Sequence, residues 1–235
     1  MQFIPLSSSS RGNAYLAQAE GAPPLLIECG VPLKHLREIL SFSLSGLAGC
    51  LISHAHGDHS KAAKDLLKSG VDVYTSVETA EVLGIEDHYR VEYLTSDVQQ
   101  QVAGWTVLAF DLHHDVETQG FFVDAPDGEK LLFVPDTSYI RNKFNGINIL
   151  AIEANYISDV LSDNVQKGYL PTAVGHRTRR NHMSLETAIK MLKANDLSRC
   201  REIWLLHLSS GNSDEELMIR RVREATGIPV YAAKE

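Results

Sequence analysis

Short apolar runs broken by turn residues dominate the first quarter of the chain. Residues 2–6, 14–17 and 25–29 read as strands, with turns predicted at 7–13 (SSSSRGN) and 20–24 (EGAPP). Residues 32–40 read as a short helix with Pro32 near its first turn. A buried strand at 47–53 runs straight into His54-Ala55-His56-Gly57-Asp58-His59. Helical periodicity follows over 59–68, where Ala62, Ala63, Leu66 and Leu67 share one face. A strand is predicted at 71–75, a helix at 77–83, and strands at 91–94, 105–111, 120–124 and 130–135. The last two flank a hairpin signal built on Asp127-Gly128. Residues 147–154 form another buried run, and 201–206 and 229–232 read as the final strands. Helices are predicted at 184–194, with Ser184 as N-cap, and at 214–225. The polar stretch 159–180 reads as a loop with room for one short helix.

No solenoid-length repeat, low-complexity segment or linker interrupts the pattern, so one domain spanning 1–235 is expected. Strands come early and helices punctuate them irregularly. That points to an α+β class with mixed sheets covered by helices, not a regular βαβ array.

Composition changes the picture little. The 235 residues suffice for a sizeable core. No apolar run reaches the roughly 18–20 residues that span a bilayer. Residues 1–10 lack the basic and apolar regions of a signal peptide, so a cytoplasmic protein without membrane contact is expected. Cys29, Cys50 and Cys200 show no CxxC spacing; Cys29 and Cys50 read as small packing residues. The net charge of −8 argues against a long basic face for polymeric nucleic acid. The one basic cluster is Arg177, Arg179 and Arg180. A small anionic substrate stays compatible, because bound dications can dominate the field inside a site.

The chemistry concentrates in His54–His59. Neutral imidazole and carboxylate suit zinc and similar first-row dications. If the chain stays extended past its strand, His54 and His56 point to the same side. Gly57 permits a bend, after which Asp58 and His59 can face a second position. Further ligand types follow later apolar runs: His113, His114 and Asp115, then Asp136, then His207.

This ordered set resembles the metallo-β-lactamase superfamily. The resemblance implies a four-layer αβ/βα sandwich, with two mixed sheets packed face to face and helices outside. It implies two divalent ions, Zn2+ or Mn2+. His54, His56 and His114 would bind the first, Asp58, His59 and His207 the second, and Asp136 would bridge them. His114 is preferred to His113 because the family's His-Asp spelling matches His114-Asp115. Over nearly the whole chain the closest likeness is to the branch of YycJ (WalJ) exonucleases, tRNA 3′-processing endonucleases and phage anti-Pycsar cyclic-nucleotide phosphodiesterases. SSSSRGNAYL, AIEANY, NHMSLETA and LLHLSSGNSDEE carry it.

That branch implies phosphodiester hydrolysis of a nucleotide substrate. Two dications can acidify a shared water and offset charge on the phosphoryl group. Asp58 would assist as ligand and proton acceptor. His182, held by Glu153, would protonate the leaving oxygen. Asn13, Arg177, Arg179 and Arg180 would contact substrate, and the arginine segment could serve as a homodimer arm. Charge tilts the expectation slightly towards a cyclic mononucleotide over a DNA or RNA end. Alternatives are a YycJ-type exonuclease on DNA and a glyoxalase II-like thioester hydrolase, which shares the HxHxDH cluster. A non-catalytic metal-stabilised module would not need seven ligands. Glu28, Ser9 and Asn181 depart from the branch's usual Asp, Gly and Gly. The interval from Asp136 to His207 is too short for the large inserted cap of the RNA-processing relatives.

Overall fold

The computed structural model describes residues 1–40 and 44–234. In chain order its strands and α-helices are β1 (Gln2–Ser9), β2 (Gly12–Gln18), β3 (Leu25–Ile27), α1 (Leu33–Ile39), β4 (Gly49–Leu51), α2 (Gly57–Ser60), α3 (Ala63–Lys68), β5 (Val73–Thr75), α4 (Val77–Leu83), β6 (Val91–Tyr93), β7 (Gln99–Val102), β8 (Trp105–Asp111), β9 (Gln119–Asp124), β10 (Lys130–Val134), β11 (Ile149–Glu153), α5 (Ser158–Gln166), α6 (Thr172–Asn181), α7 (Leu185–Ala194), β12 (Glu202–Leu206), α8 (Glu215–Thr226) and β13 (Val230–Ala232). They fall into two compact units: residues 1–111 with 116–130 and the chain's last residues, and residues 112–115 with 131–233.

The first unit holds a six-stranded mixed sheet in the order β1-β2-β3-β4-β5-β6. Its first two pairings are antiparallel and the other three parallel. Leu25, Leu26, Ile27, Cys50 and Leu51 in β3 and β4 are fully buried, as expected of strands covered on both faces. One side of this core is filled by Leu36, Leu66 and Leu67 from α1 and α3. The same unit carries an antiparallel ladder β7-β8-β9. Trp105 in β8 is fully buried, and its indole N–H donates to the Pro23 carbonyl at 2.9 Å, so its one polar atom is satisfied.

The second unit is built on a parallel ladder β10-β11-β12-β13. Every residue of β11 is buried. Parallel pairing brings the C-terminal ends of β10, β11 and β12 to one edge, where ligand-binding residues of open parallel sheets collect.

Several sequence expectations hold closely. The helix at 77–83 and the strand at 105–111 coincide with α4 and β8. Ser184 caps α7, its hydroxyl accepting from the Thr187 N–H at 3.2 Å. Cys29 and Cys50 are fully buried. No helix among the described residues is long and apolar enough to cross a membrane.

Four expectations need correction. The turn at 7–13 is confined to its middle, since β1 runs to Ser9 and β2 starts at Gly12. The polar side chains of Ser7 and Ser8 in β1 are buried but paired: Ser7 Oγ donates to the Gly12 carbonyl, and Ser8 Oγ lies 2.8 Å from the Tyr15 hydroxyl. The helix at 59–68 is two helices, because Ala62 (ψ 4°) breaks the turn and sends its N–H to the Cys29 carbonyl. The loop at 159–180 contains two helices, α5 and α6; their polarity reflects exposure, not irregularity. Finally, β7 escaped detection because its glutamine-rich run (QQQV) lacks an apolar alternation.

Candidate active site

In the first unit the candidate ligands follow the end of β4. His54 is buried, with Nδ1 2.8 Å from Ser53 Oγ, which leaves Nε2 pointing away from that partner. His54 Nε2 and His56 Nδ1 lie 3.2 Å apart. Two imidazole nitrogens sharing one tetrahedral zinc at about 2.0–2.1 Å each would be separated by about 3.3 Å, so this pair fits a common dication. The His54 and His59 rings are also close, with centroids 4.2 Å apart. Asp58 and His59 sit in α2, and Asp58 Oδ2 lies 3.6 Å from His59 Nε2.

A cradle behind this loop sets its position. The Cys29 N–H donates to the His59 carbonyl, and the Cys29 carbonyl accepts from Ala62. A Cβ on Gly30 would stand 1.6 Å from the Asp58 carbonyl oxygen, so only glycine permits this approach. Glu28 is fully buried in a left-handed conformation (φ 64°), with one carboxylate oxygen 3.3 Å from the Ser53 N and the other 3.6 Å from His59 Nδ1. Asn13, expected to touch substrate, is fully buried. Its amide donates to the Asp58 carbonyl at 3.2 Å and lies 3.1 Å from His59 Nε2, so the structure places it behind the metal loop.

In the second unit Asp136, Glu153 and His207 emerge at the shared edge of β10, β11 and β12. One ligand-type atom each from Asp136, Glu153, His182 and His207 lies within 4.8 Å of the others. His207 Nδ1 is 2.8 Å from Asp136 Oδ1 and 3.4 Å from Glu153 Oε1. His207 also adopts a left-handed backbone (φ 53°), a strained state for a histidine and common where a side chain must be aimed. His182 caps α6, and its Nδ1 meets Glu153 Oε1 at 2.6 Å. The other Glu153 oxygen accepts from the Thr137 and Met183 backbone N–H groups at 2.9 and 3.0 Å. Glu153 is thus fully buried with its charge satisfied, whereas the His182 side chain keeps 22 % exposure.

His114 lies beside this cluster. Its ring centroid is 5.4 Å from that of His182, and its Nδ1 donates to the Asn181 carbonyl at 2.8 Å. Because a carbonyl only accepts, this bond fixes the tautomer and puts the acceptor lone pair on Nε2, which lies 3.2 Å from Asp115 Oδ1. His113 instead turns outward, exposed. Arg177, Arg179 and Arg180 are exposed on α6, the helix that ends at Asn181.

Electrostatics in the second unit favour a cation. Burial works to lower the His207 pKa, yet Asp136 and Glu153 outweigh it and lift it to about 10. Burial likewise opposes the charge on His182, and Glu153 again reverses the balance, so its pKa is raised. For His114 burial wins, and its pKa is lowered. The donor set therefore fits divalent metal: imidazoles plus carboxylates that already hold positive charge, next to a histidine kept neutral.

Ser53, Thr137 and Asn181 escaped sequence reasoning. Ser53 orients the adjacent His54, whereas Thr137 and Asn181 orient Glu153 and His114 from distant segments. Asn181 had a signal, as it departs from the branch's usual glycine; its amide donates to Asp115 Oδ2 at 2.9 Å.

Residues 25–207 match the family model described as a β-lactamase superfamily domain. The exodeoxyribonuclease YycJ of Bacillus anthracis is 24% identical over 254 residues, covering 100% of this chain and 94% of that protein. Among solved structures, the metallo-β-lactamase-fold protein YhfI of Bacillus subtilis aligns with TM-score 0.76 and 17% identity, over 99% of this chain and 95% of its own. The short form of human tRNase Z aligns with TM-score 0.65 and 18% identity, over 89% and 93%. The α+β fold expected from the sequence is therefore the one it shares with YhfI. With its family model matched over most of its length and ligand-type clusters at the strand ends, the chain belongs to the β-lactamase superfamily and is a metallo-β-lactamase-fold hydrolase.

Proposed function

We propose that this protein hydrolyses a nucleotide phosphodiester bond with two divalent ions, Zn2+ or Mn2+. The observation that carries the reading is the buried Glu153 carboxylate bonded at 2.6 Å to the partly exposed His182. A phosphodiesterase has an alkoxide leaving group to protonate, and this pair supplies a proton donor. Nδ1–H faces Glu153, the raised pKa favours the imidazolium, and Nε2–H is left for the leaving oxygen. By the family pattern, His54, His56 and His114 would hold one ion and Asp58, His59 and His207 the other, with Asp136 as a shared ligand. Bound there, such ions supply an acidified water and neutralise phosphoryl charge. Asp58 serves as ligand and proton acceptor. The family match runs through both compact units, which supports reading 1–235 as one domain.

A DNA strand end is the favoured substrate. The likeness to exodeoxyribonuclease YycJ over the full chain supports it and reverses the slight tilt that charge alone produced. The stripe His176, Arg177 and Arg180 on one exposed face of α6 supplies cations for a backbone, while Arg179 donates to Ser162 Oγ at 2.9 Å. The net charge of −8 favours a second reading, a cyclic mononucleotide. The resemblance to the cyclic-nucleotide relatives of the branch supports reading the arginine segment as a homodimer arm, which sedimentation would test.

The test is hydrolysis of 5′-labelled single- and double-stranded DNA beside 2′,3′- and 3′,5′-cyclic mononucleotides, with Zn2+ or Mn2+. Turnover of DNA that is lost with chelator supports the leading reading. Turnover of cyclic nucleotides alone supports the second. Silence on both, with turnover of acyl-thioesters, overturns the phosphodiesterase reading.

A further inference from the structure

An aromatic stack stands on the two loops that deliver His114 and Asp136. The rings of His113 and Tyr139 lie with centroids 5.1 Å apart and planes 30° off parallel. The Arg141 guanidinium sits 5.7 Å from the Tyr139 ring centre and donates to its hydroxyl at 3.0 Å. His113 and Arg141 are exposed and Tyr139 is half-buried.

The stack is fixed in place. The His113 N–H donates to Thr137 Oγ1 at 3.1 Å, and the Ser138 N–H to the His113 carbonyl at 3.0 Å. His113 Nδ1 lies 2.8 Å from Ser138 Oγ, which sets the ring's orientation. The same Thr137 gives its N–H to Glu153, the partner of His182. The platform and the proton-donating pair thus share one hydrogen-bonded loop. The backbone bonds fix the loop, and the Ser138 Oγ contact together with the Tyr139 stack holds the imidazole itself in place.

Resting on the reading above, we propose that His113, Tyr139 and Arg141 form a stacking subsite for the nucleobase beside the scissile phosphate. The exposed ring offers a π-face to a base, and Arg141 adds a guanidinium plane and a positive charge near the backbone. No hydrogen-bond readout of base edges is built into the stack, so the subsite accepts any of the four bases. Every base has a face to stack, and discrimination would follow stacking strength alone.

The experiment compares a short single-stranded DNA with the same strand carrying an abasic terminal nucleotide, in the wild type, His113→Ala and His113→Phe. Base–aromatic stacking supports an increase of about 5- to 150-fold in KM for the intact strand in His113→Ala. That variant also loses the wild type's preference for intact over abasic ends, and His113→Phe restores both. An equal KM change on the two strands, or no change, overturns the subsite. Dinucleotides with 2-aminopurine on either side report stacking without turnover. Quenching by the wild type that His113→Ala abolishes supports the subsite even if no phosphodiester is cleaved, an outcome that would remove only the proposed activity. No quenching by the wild type overturns the subsite.

Discussion

Glu153→Gln isolates the charge of one carboxylate from its geometry. The amide oxygen can keep the Thr137 and Met183 N–H bonds that Oε2 accepts at 2.9 and 3.0 Å. The amide nitrogen then faces His182 Nδ1, where the carboxylate oxygen stood at 2.6 Å. An NH2 group only donates, so His182 must present a lone pair at Nδ1 and lose the counter-ion of its cationic form. A hydrogen bond to a charged group contributes roughly 1.5–3 kcal/mol against about 1 for a neutral one, a difference of about 1–2 kcal/mol. That corresponds to a fall of about one unit in the His182 pKa. The group works protonated, so the limb of the kcat profile that falls at high pH should move down by about one pH unit. At neutral pH kcat should drop by up to about tenfold, the limit set by a one-unit shift, with little change in metal content or melting temperature. Imidazole NMR signals of His182 would follow the pKa directly. An unchanged basic limb together with an unchanged imidazole titration would refute the role assigned to this pair.

Asp58→Ala with His59→Ala should halve the metal bound per chain and abolish turnover; full metal content by elemental analysis would remove these residues from the ligand set. Metal binding should also release protons. In the metal-free protein His207 has its pKa raised to about 10, so the stability this contributes is fully present below the ordinary histidine value near 6.5 and is lost as pH rises through about 10. Coordination needs the neutral ring, so affinity should rise about tenfold per pH unit across that window for each proton displaced. Calorimetry in buffers of different ionisation enthalpy reads the proton, and none released would contradict the assignment of His207 as a ligand. Ser184→Ala removes the side-chain acceptor for the Thr187 N–H and should cost about 1 kcal/mol, seen as a lower denaturation midpoint with an unchanged slope.

The metal loop was legible because its donors are contiguous: four ligand types within six residues leave few other readings. The later ligands were legible only as a set, since a single His or Asp after a strand is ordinary. Their supporting bonds were not legible. His114 and Asn181 are 67 residues apart, and the bond uses a backbone carbonyl, which any residue carries. Polarity misled in both directions. Ser7 and Asn13 look like turn residues yet are buried in strands, because Ser7 finds the Gly12 carbonyl and Asn13 the Asp58 carbonyl. Residues 159–180 look irregular yet are mostly helical, because polarity marks exposure as readily as a loop, and α6 accommodates Gly175 in its interior.

The cradle behind the metal loop has a consequence for how this protein can change over time. Cys29 grips the loop through its own N–H and carbonyl, so its side chain can be exchanged for another small apolar one while both bonds persist. Gly30 is the opposite case: any added side chain enters the space of the Asp58 carbonyl. Two neighbouring positions should therefore differ sharply in tolerance when every residue is varied and variants are selected for function. Cys29 would accept several replacements, whereas Gly30 would accept none, although neither is a candidate metal ligand or catalytic residue.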